Sequence, residues 1–125
     1  DTSKGQIVRA ALKSIAFQSM DVINAMKQDT GRSINDLRVD GGATENKFLM
    51  QFQADILGIP VLLPEIREST ALGAAYLAGL SAGIYSTIEE IAVENRLTRR
   101  FEPVMNSSER LRQTDLWSSA VKRLL

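Results

Sequence analysis

Apolar positions recur at helical spacing from the beginning of the chain. Ile7, Ala11, Ile15, Val22 and Met26, with Val8, Leu12, Ala16 and Ile23 beside them, predict one long amphipathic helix reaching about Lys27. Ser3 and Gln6 fit an S-x-x-Q capping box at its start, and Gly31 follows as a stop signal. The period then changes. Leu37 and Val39 alternate with polar neighbours across Asp36 to Asp40, which predicts a short strand running into a corner at Gly41 and Gly42. Helical spacing returns from Glu45, through Phe48, Leu49, Phe52, Ile56 and Leu57, and stops at Gly58. IPVLLP, residues 59–64, is an apolar run between prolines and predicts a second strand with Pro60 at its first residue. Strand, helix and strand in this order form a β-α-β unit, for which a right-handed crossover is expected.

Ser69 or Thr70 is expected to cap a third helix, whose small residues Ala71, Gly73, Ala74, Ala75, Ala78 and Gly79 allow very close packing. Ile88 to Val93 reads as a short helix and Leu97 to Phe101 as an extended return. Ser107 or Ser108 is the expected cap of a last helix with Leu116, Trp117, Ala120, Val121, Leu124 and Leu125 on its apolar face. The pattern is that of an α/β fold, a β-α-β unit with additional packing helices. Its longest apolar stretch, ALGAAYLAGLSAGI, residues 71–84, falls short of the roughly 20 residues a bilayer-spanning helix needs. No membrane insertion is expected.

Composition narrows the chemistry. A chain of 125 residues suits one domain, or one piece of a larger one. Fifteen basic side chains balance fifteen acidic ones, so no net field recommends nucleic acid as a partner, and Arg96, Arg99 and Arg100 read as a solvated rim. The absence of Cys and His removes disulfides, thiolate nucleophiles, imidazole acid/base chemistry and the usual zinc ligands. It also fits a reducing cytoplasm. What remains is chemistry by carboxylates, hydroxyls, amides, cations, backbone groups or a bound cofactor. The chain opens with DTSKGQ, at a helix start and without a targeting pattern, and is therefore expected to come from a longer protein.

The candidate site is RVDGGATENKF, residues 38–48. A helix start after a strand offers unpaired N–H groups, and glycine removes the Cβ that would hold a purine, ribose or phosphate away from the backbone. Asn46 could add an amide donor and acceptor. The competing reading is a tight double-glycine turn in which Asn46 caps or solvates the first helical turn. Both readings stand at this level. A dinucleotide site, with Glu65 as the ribose acid, is weighed against the missing third glycine of G-x-G-x-x-G, and no G-x-x-x-x-G-K-[ST] phosphate loop is present. Glu45 would repel a pyrophosphate resting on this helix end but not a neutral adenosine. Asp40 reads as a turn or cap residue, Lys47 as a surface cation, Glu65, Glu68 and Thr70 as loop and cap residues, and Trp117 as core.

VDGGATENKFLMQFQADILGIPV followed by EIREST and ALGAAYLAGL closely resembles the C-terminal region of glycerol kinases, in the carbohydrate kinase (FGGY) group of the actin-like ATPase superfamily. The similarity runs upstream through QIVRAALKSIAFQSMDV and, more loosely, downstream through FEPVMNSSER. The resemblance implies that residues 1–125 are a partial C-terminal nucleotide-binding lobe with a ribonuclease-H-like (actin-like ATPase) fold, cut from a parent enzyme. That parent would be cytoplasmic and a homo-oligomer, and would phosphorylate glycerol to sn-glycerol 3-phosphate with ATP, magnesium accompanying the nucleotide. Gly41, Gly42, Ala43 and Asn46 would line the adenosine side of the ATP/ADP site, with the small-residue helix from Ala71 to Gly79 packed beneath. The catalytic base and the glycerol contacts would belong to the missing N-terminal lobe, leaving these residues inactive alone. Lys47 stands where related kinases often carry a second Asn, and Glu45 where they carry a small residue, which weighs against a phosphate contact there. Alternatives are a kinase of another sugar or polyol in the same family and a non-catalytic actin-like nucleotide-binding module. FLMQFQADILG weighs against the latter.

Overall fold

The computed structural model describes residues 2–64, 69–94 and 97–124. Helix α1 spans Lys4–Thr30, about 40 Å at 1.5 Å per residue. Its predicted capping box is formed: Ser3 Oγ accepts from Gln6 N–H, and Gln6 Oε1 accepts from Ser3 N–H at 2.7 Å. The helix runs three residues past Lys27 because Gly31 takes a left-handed conformation and donates its N–H back to the Lys27 carbonyl.

Strand β1, Leu37–Arg38, is shorter than the predicted Asp36 to Asp40, although Val39 N–H still reaches the Leu62 carbonyl at 3.1 Å. A 3-10 turn over Gly42–Glu45 leads into helix α2, Lys47–Leu57, and then strand β2, Val61–Pro64. β1 and β2 pair in parallel, Leu37 opposite Val61, so the β-α-β unit is present. Helices α3, Ser69–Ser81, and α4, Ile88–Glu94, precede strand β3, Leu97–Phe101, which pairs antiparallel with β2; helix α5, Ser107–Lys122, closes the order. The sheet order is β1-β2-β3, with β1 at one edge.

The core lies between α1, α2 and β2. Phe17 and Met20 of α1 meet Leu49, Met50 and Phe52 of α2 over Val61 and Leu63 of β2. Phe17 sets its ring edge-on to Phe52 and stacks against Trp117 at 5.1 Å, and Trp117 Nε1 donates to Asp21 at 2.8 Å. Trp117 is therefore a core-edge residue, as predicted. Lys13 stands over the Phe52 ring and reaches Gln113 Oε1 at 3.3 Å; burial first, then the charge of Arg9, pulls its ammonium below the ordinary lysine range.

Four expectations are corrected. The stripe of α1 that is buried is Ala16, Phe17, Met20 and Ile23, whereas Ile7, Val8, Ile15, Val22 and Met26 stay exposed. The cap of α5 is Asn106, whose Oδ1 accepts from Glu109 N–H at 2.8 Å; Ser107 and Ser108 fall inside the helix, one or two residues beyond the position where a side chain can turn back. Leu116 of α5 and Leu124, past the end of that helix, are exposed; the α1-facing side of α5 is formed by Gln113, Thr114 and Trp117. Ser69 opens α3 and Thr70 lies within it, so neither precedes it as a cap. Glu65, Glu68, Arg96 and Leu125 lie outside the described residues.

Candidate functional site

The glycine corner is built by β1 ending and α2 beginning within a few residues. Gly41 holds φ +89 and ψ 172, a backbone shape that L side chains rarely adopt. Asp40 accepts Gly41 N–H on Oδ1 at 2.7 Å, the turn role expected of it. The Gly41 carbonyl then accepts twice, from Thr44 N–H at 3.1 Å and from the Thr44 hydroxyl at 2.7 Å. Thr44 is buried. It closes the 3-10 turn from a buried position, a role its place between Ala43 and Glu45 in the sequence did not announce.

Helix α2 begins at Lys47, not Glu45, since Asn46 is its N-cap: Asn46 Oδ1 accepts Leu49 N–H at 3.1 Å. Glu45 belongs to the 3-10 turn. One half of the Asn46 amide is thus spent on the helix, and among the described residues nothing accepts from its Nδ2. Asn46 is half-buried, while Gly41, Gly42 and Ala43 lie exposed beside it. The four predicted site residues are brought together on one surface by the turn itself.

Gly42 differs from its neighbour. Its φ is not positive, and a Cβ built on it would meet no protein atom within 4 Å. Nothing in the conformation or packing of the described chain requires glycine there. The small-residue helix expected beneath the corner does not pack under it: Ala71, Ala74, Ala75 and Ala78 of α3 are exposed, as is Leu77. Within α3 it is Gly79 that has an internal reason to be small, because a Cβ would stand 2.7 Å from the Tyr85 ring. No group of three or more carboxylates that could hold a metal ion exists among the described residues.

A parallel β-α-β unit with a glycine corner at the carboxyl end of its first strand, extended by helices, is the C-terminal part of a ribonuclease-H-like, actin-like ATPase fold. Residues 1–82 match the profile of the C-terminal domain of the FGGY family of carbohydrate kinases, and the chain belongs to that family. It is 56% identical over 124 residues to glycerol kinase 2 of Thermotoga maritima, covering 99% of this chain and 25% of that protein. To the glycerol kinase of Acinetobacter baylyi it is 54% identical over 122 residues, 98% of this chain and 25% of the relative. The glycerol kinase of Plasmodium falciparum, solved with ADP, superposes with a TM-score of 0.89 at 36% identity over 100% of this chain and 25% of its own. The chain thus spans about a quarter of the length of the curated relatives it matches. A xylulose kinase from Lactobacillus acidophilus, with a TM-score of 0.80 at 22% identity, shares the fold.

Proposed function

We propose that residues 1–125 are a partial C-terminal nucleotide-binding lobe of a polypeptide that phosphorylates glycerol with ATP, yielding sn-glycerol 3-phosphate. The observation that carries this reading is Gly42, a glycine that neither backbone conformation nor internal packing explains, on an exposed turn. Bare main chain with room above it suits the flat face of a nucleoside. The adenosine side of ATP lies against Gly41, Gly42 and Ala43, and the amide nitrogen of Asn46 donates to it. The cap bond to Leu49 holds that amide in place.

Magnesium accompanies the phosphates and neutralises charge during phosphoryl transfer. Its ligands in this reading are the nucleotide and parts of the polypeptide beyond this chain, which also hold the catalytic base and the glycerol contacts. No helix among the described residues is long and apolar enough to cross a membrane. The working place of the enzyme is the cytoplasm, and its working form a homo-oligomer. Glycerol is favoured over another polyol because the curated relatives at 54–56% identity are named glycerol kinases.

The test separates the two jobs of Asn46 in the full-length polypeptide. Asn46→Ala removes cap and amide together. Asn46→Ser keeps a capping oxygen and removes the amide. Both are expected to raise the nucleotide KM about fivefold, the equivalent of about 1 kcal/mol, with the glycerol KM unchanged. Only Asn46→Ala is expected to lower the melting temperature. A nucleotide KM left at its starting value in Asn46→Ser removes Asn46 from the site.

A further inference from the structure

The peptide between Gly41 and Gly42 is the joint on which the corner turns. Both rotations that flank it belong to glycines, so no Cβ on either side restrains it, and the plane swivels more easily than one between residues that carry side chains. In a trans peptide the carbonyl and the N–H point opposite ways, and no cis bond is present among the described residues. Whatever holds the Gly41 carbonyl therefore also aims the Gly42 N–H.

One residue holds that carbonyl. Thr44 donates both its N–H, at 3.1 Å, and its hydroxyl, at 2.7 Å, to the same oxygen. The N–H bond is that of an ordinary 3-10 turn, whose hydrogen-bond geometry is poor. The hydroxyl bond is the shorter and is shielded from competing water, because Thr44 is 3% exposed while Gly41, Gly42, Ala43 and Glu45 around it are all exposed. With the carbonyl drawn to Thr44, the Gly42 N–H points away from it. No acceptor among the described residues takes that N–H, and the space where a Gly42 Cβ would stand holds no protein atom within 4 Å. The corner thus carries a donor without a protein partner, aimed by a buried hydroxyl.

We propose that Thr44 is a positioning residue for nucleotide binding: its hydroxyl, acting through the Gly41 carbonyl, locks the Gly41–Gly42 peptide so that the Gly42 N–H and the bare main chain stay turned towards the nucleotide. Thr44 touches no ligand itself, since its side chain is buried. The inference rests on the adenosine reading of the corner and adds to it the group that keeps the corner in one shape before the ligand arrives. Without the hydroxyl the peptide samples other orientations, and apparent affinity falls with the fraction of time the competent one is present. Glycerol binding, which does not use this peptide, is untouched.

Substitutions in the full-length polypeptide test it. Thr44→Val keeps the branched shape and removes the hydroxyl, whereas Thr44→Ser keeps the hydroxyl and removes a methyl group. A threonine needed only for packing would tie nucleotide KM to stability in both. The expected result is crossed. Thr44→Val raises the nucleotide KM about three- to fivefold with the glycerol KM unchanged. Thr44→Ser lowers the melting temperature through the lost methyl but brings the nucleotide KM back to within about twofold of wild type. Should Thr44→Val fail to fold, Thr44→Ala, which also lacks the hydroxyl, is read in its place. Because the effect runs through the Gly42 peptide, Thr44→Val is expected to add little in a Gly42→Ala background, and an undiminished effect there overturns the proposal. Equal rises in nucleotide KM for Thr44→Val and Thr44→Ser overturn it too, since they would trace to packing. A nucleotide KM unmoved by Thr44→Val, with Gly42→Ala and Asn46→Ser still raising it, ends the positioning role and leaves the adenosine reading standing. If none of these three raises it, the adenosine reading itself fails and this inference falls with it.

Discussion

At the corner, two adjacent glycines differ in what the backbone asks of them, and substitution separates them. Gly41 sits at φ +89 and ψ 172, where a Cβ costs about 1–3 kcal/mol of backbone strain, so Gly41→Ala is expected to lower stability by that amount in a denaturant titration. Gly42→Ala meets open space at an ordinary φ and is expected to leave stability within about 0.5 kcal/mol while raising the nucleotide KM several-fold. A Gly42→Ala enzyme with unaltered nucleotide KM would show that the space above that residue stays empty during turnover. The sequence exposed the double glycine but not this difference in conformation, because both positions read alike in one dimension. It likewise left Asn46 between a cap and a ligand contact. The structure shows the oxygen capping Leu49, with the amide nitrogen still available.

At the scale of elements, long-range anchors were the least legible. Asp55 is a carboxylate near the end of α2, where it opposes the helix dipole and would pass for a surface residue. It is buried and gathers three donors on one oxygen: Val104 N–H at 2.7 Å, Met105 N–H at 3.1 Å and Gln51 Nε2 at 3.1 Å. Its backbone partners lie some fifty residues away, beyond any periodicity or capping rule. Asp55→Ala is expected to cost about 2–3 kcal/mol, and Asp55→Asn, which keeps an acceptor, distinctly less, read as shifts in urea midpoint. Glu109, in the first turn of α5, shows the local counterpart. Hydrogen bonds from Arg112, then Gln113, hold its pKa down to about 2. A folded pKa below the unfolded one stabilises above the unfolded value, near 4.3, and that contribution is lost as pH falls through about 2. Wild type and Glu109→Gln are therefore expected to differ in melting temperature at pH 6 and to converge towards pH 2, with added salt narrowing the gap. Equal melting temperatures at pH 6 would mean that the Arg112 pair stabilises nothing.

The whole chain explains why helix periods were legible while the covered faces were not. A stripe at 7, 11, 15, 22 and 26 is apolar whether it meets α2 or something beyond these residues, and the pattern does not say which. α3 makes the same point more strongly, since its run of Ala, Gly and Leu is apolar on every side, yet Leu77 is 70% exposed. A helix apolar all round is built for burial. Secondary structure was readable because caps, glycine stops and strand alternation are local, whereas the partner of each face is set by residues distant in sequence; the relatives are about four times as long as this chain. Function divides along the same line. Phosphoryl transfer works through positioning and charge neutralisation around the phosphates, and in the proposed function these residues contribute only the nucleoside side of the site. The purified 125 residues are therefore expected to show no glycerol-dependent conversion of ATP to ADP, even where they fold. Trp117, the single tryptophan, reports folding independently, because stacking on Phe17 and donation to Asp21 set its emission. Magnesium-dependent turnover by a preparation with native-like tryptophan emission would show that the catalytic groups lie within this chain after all.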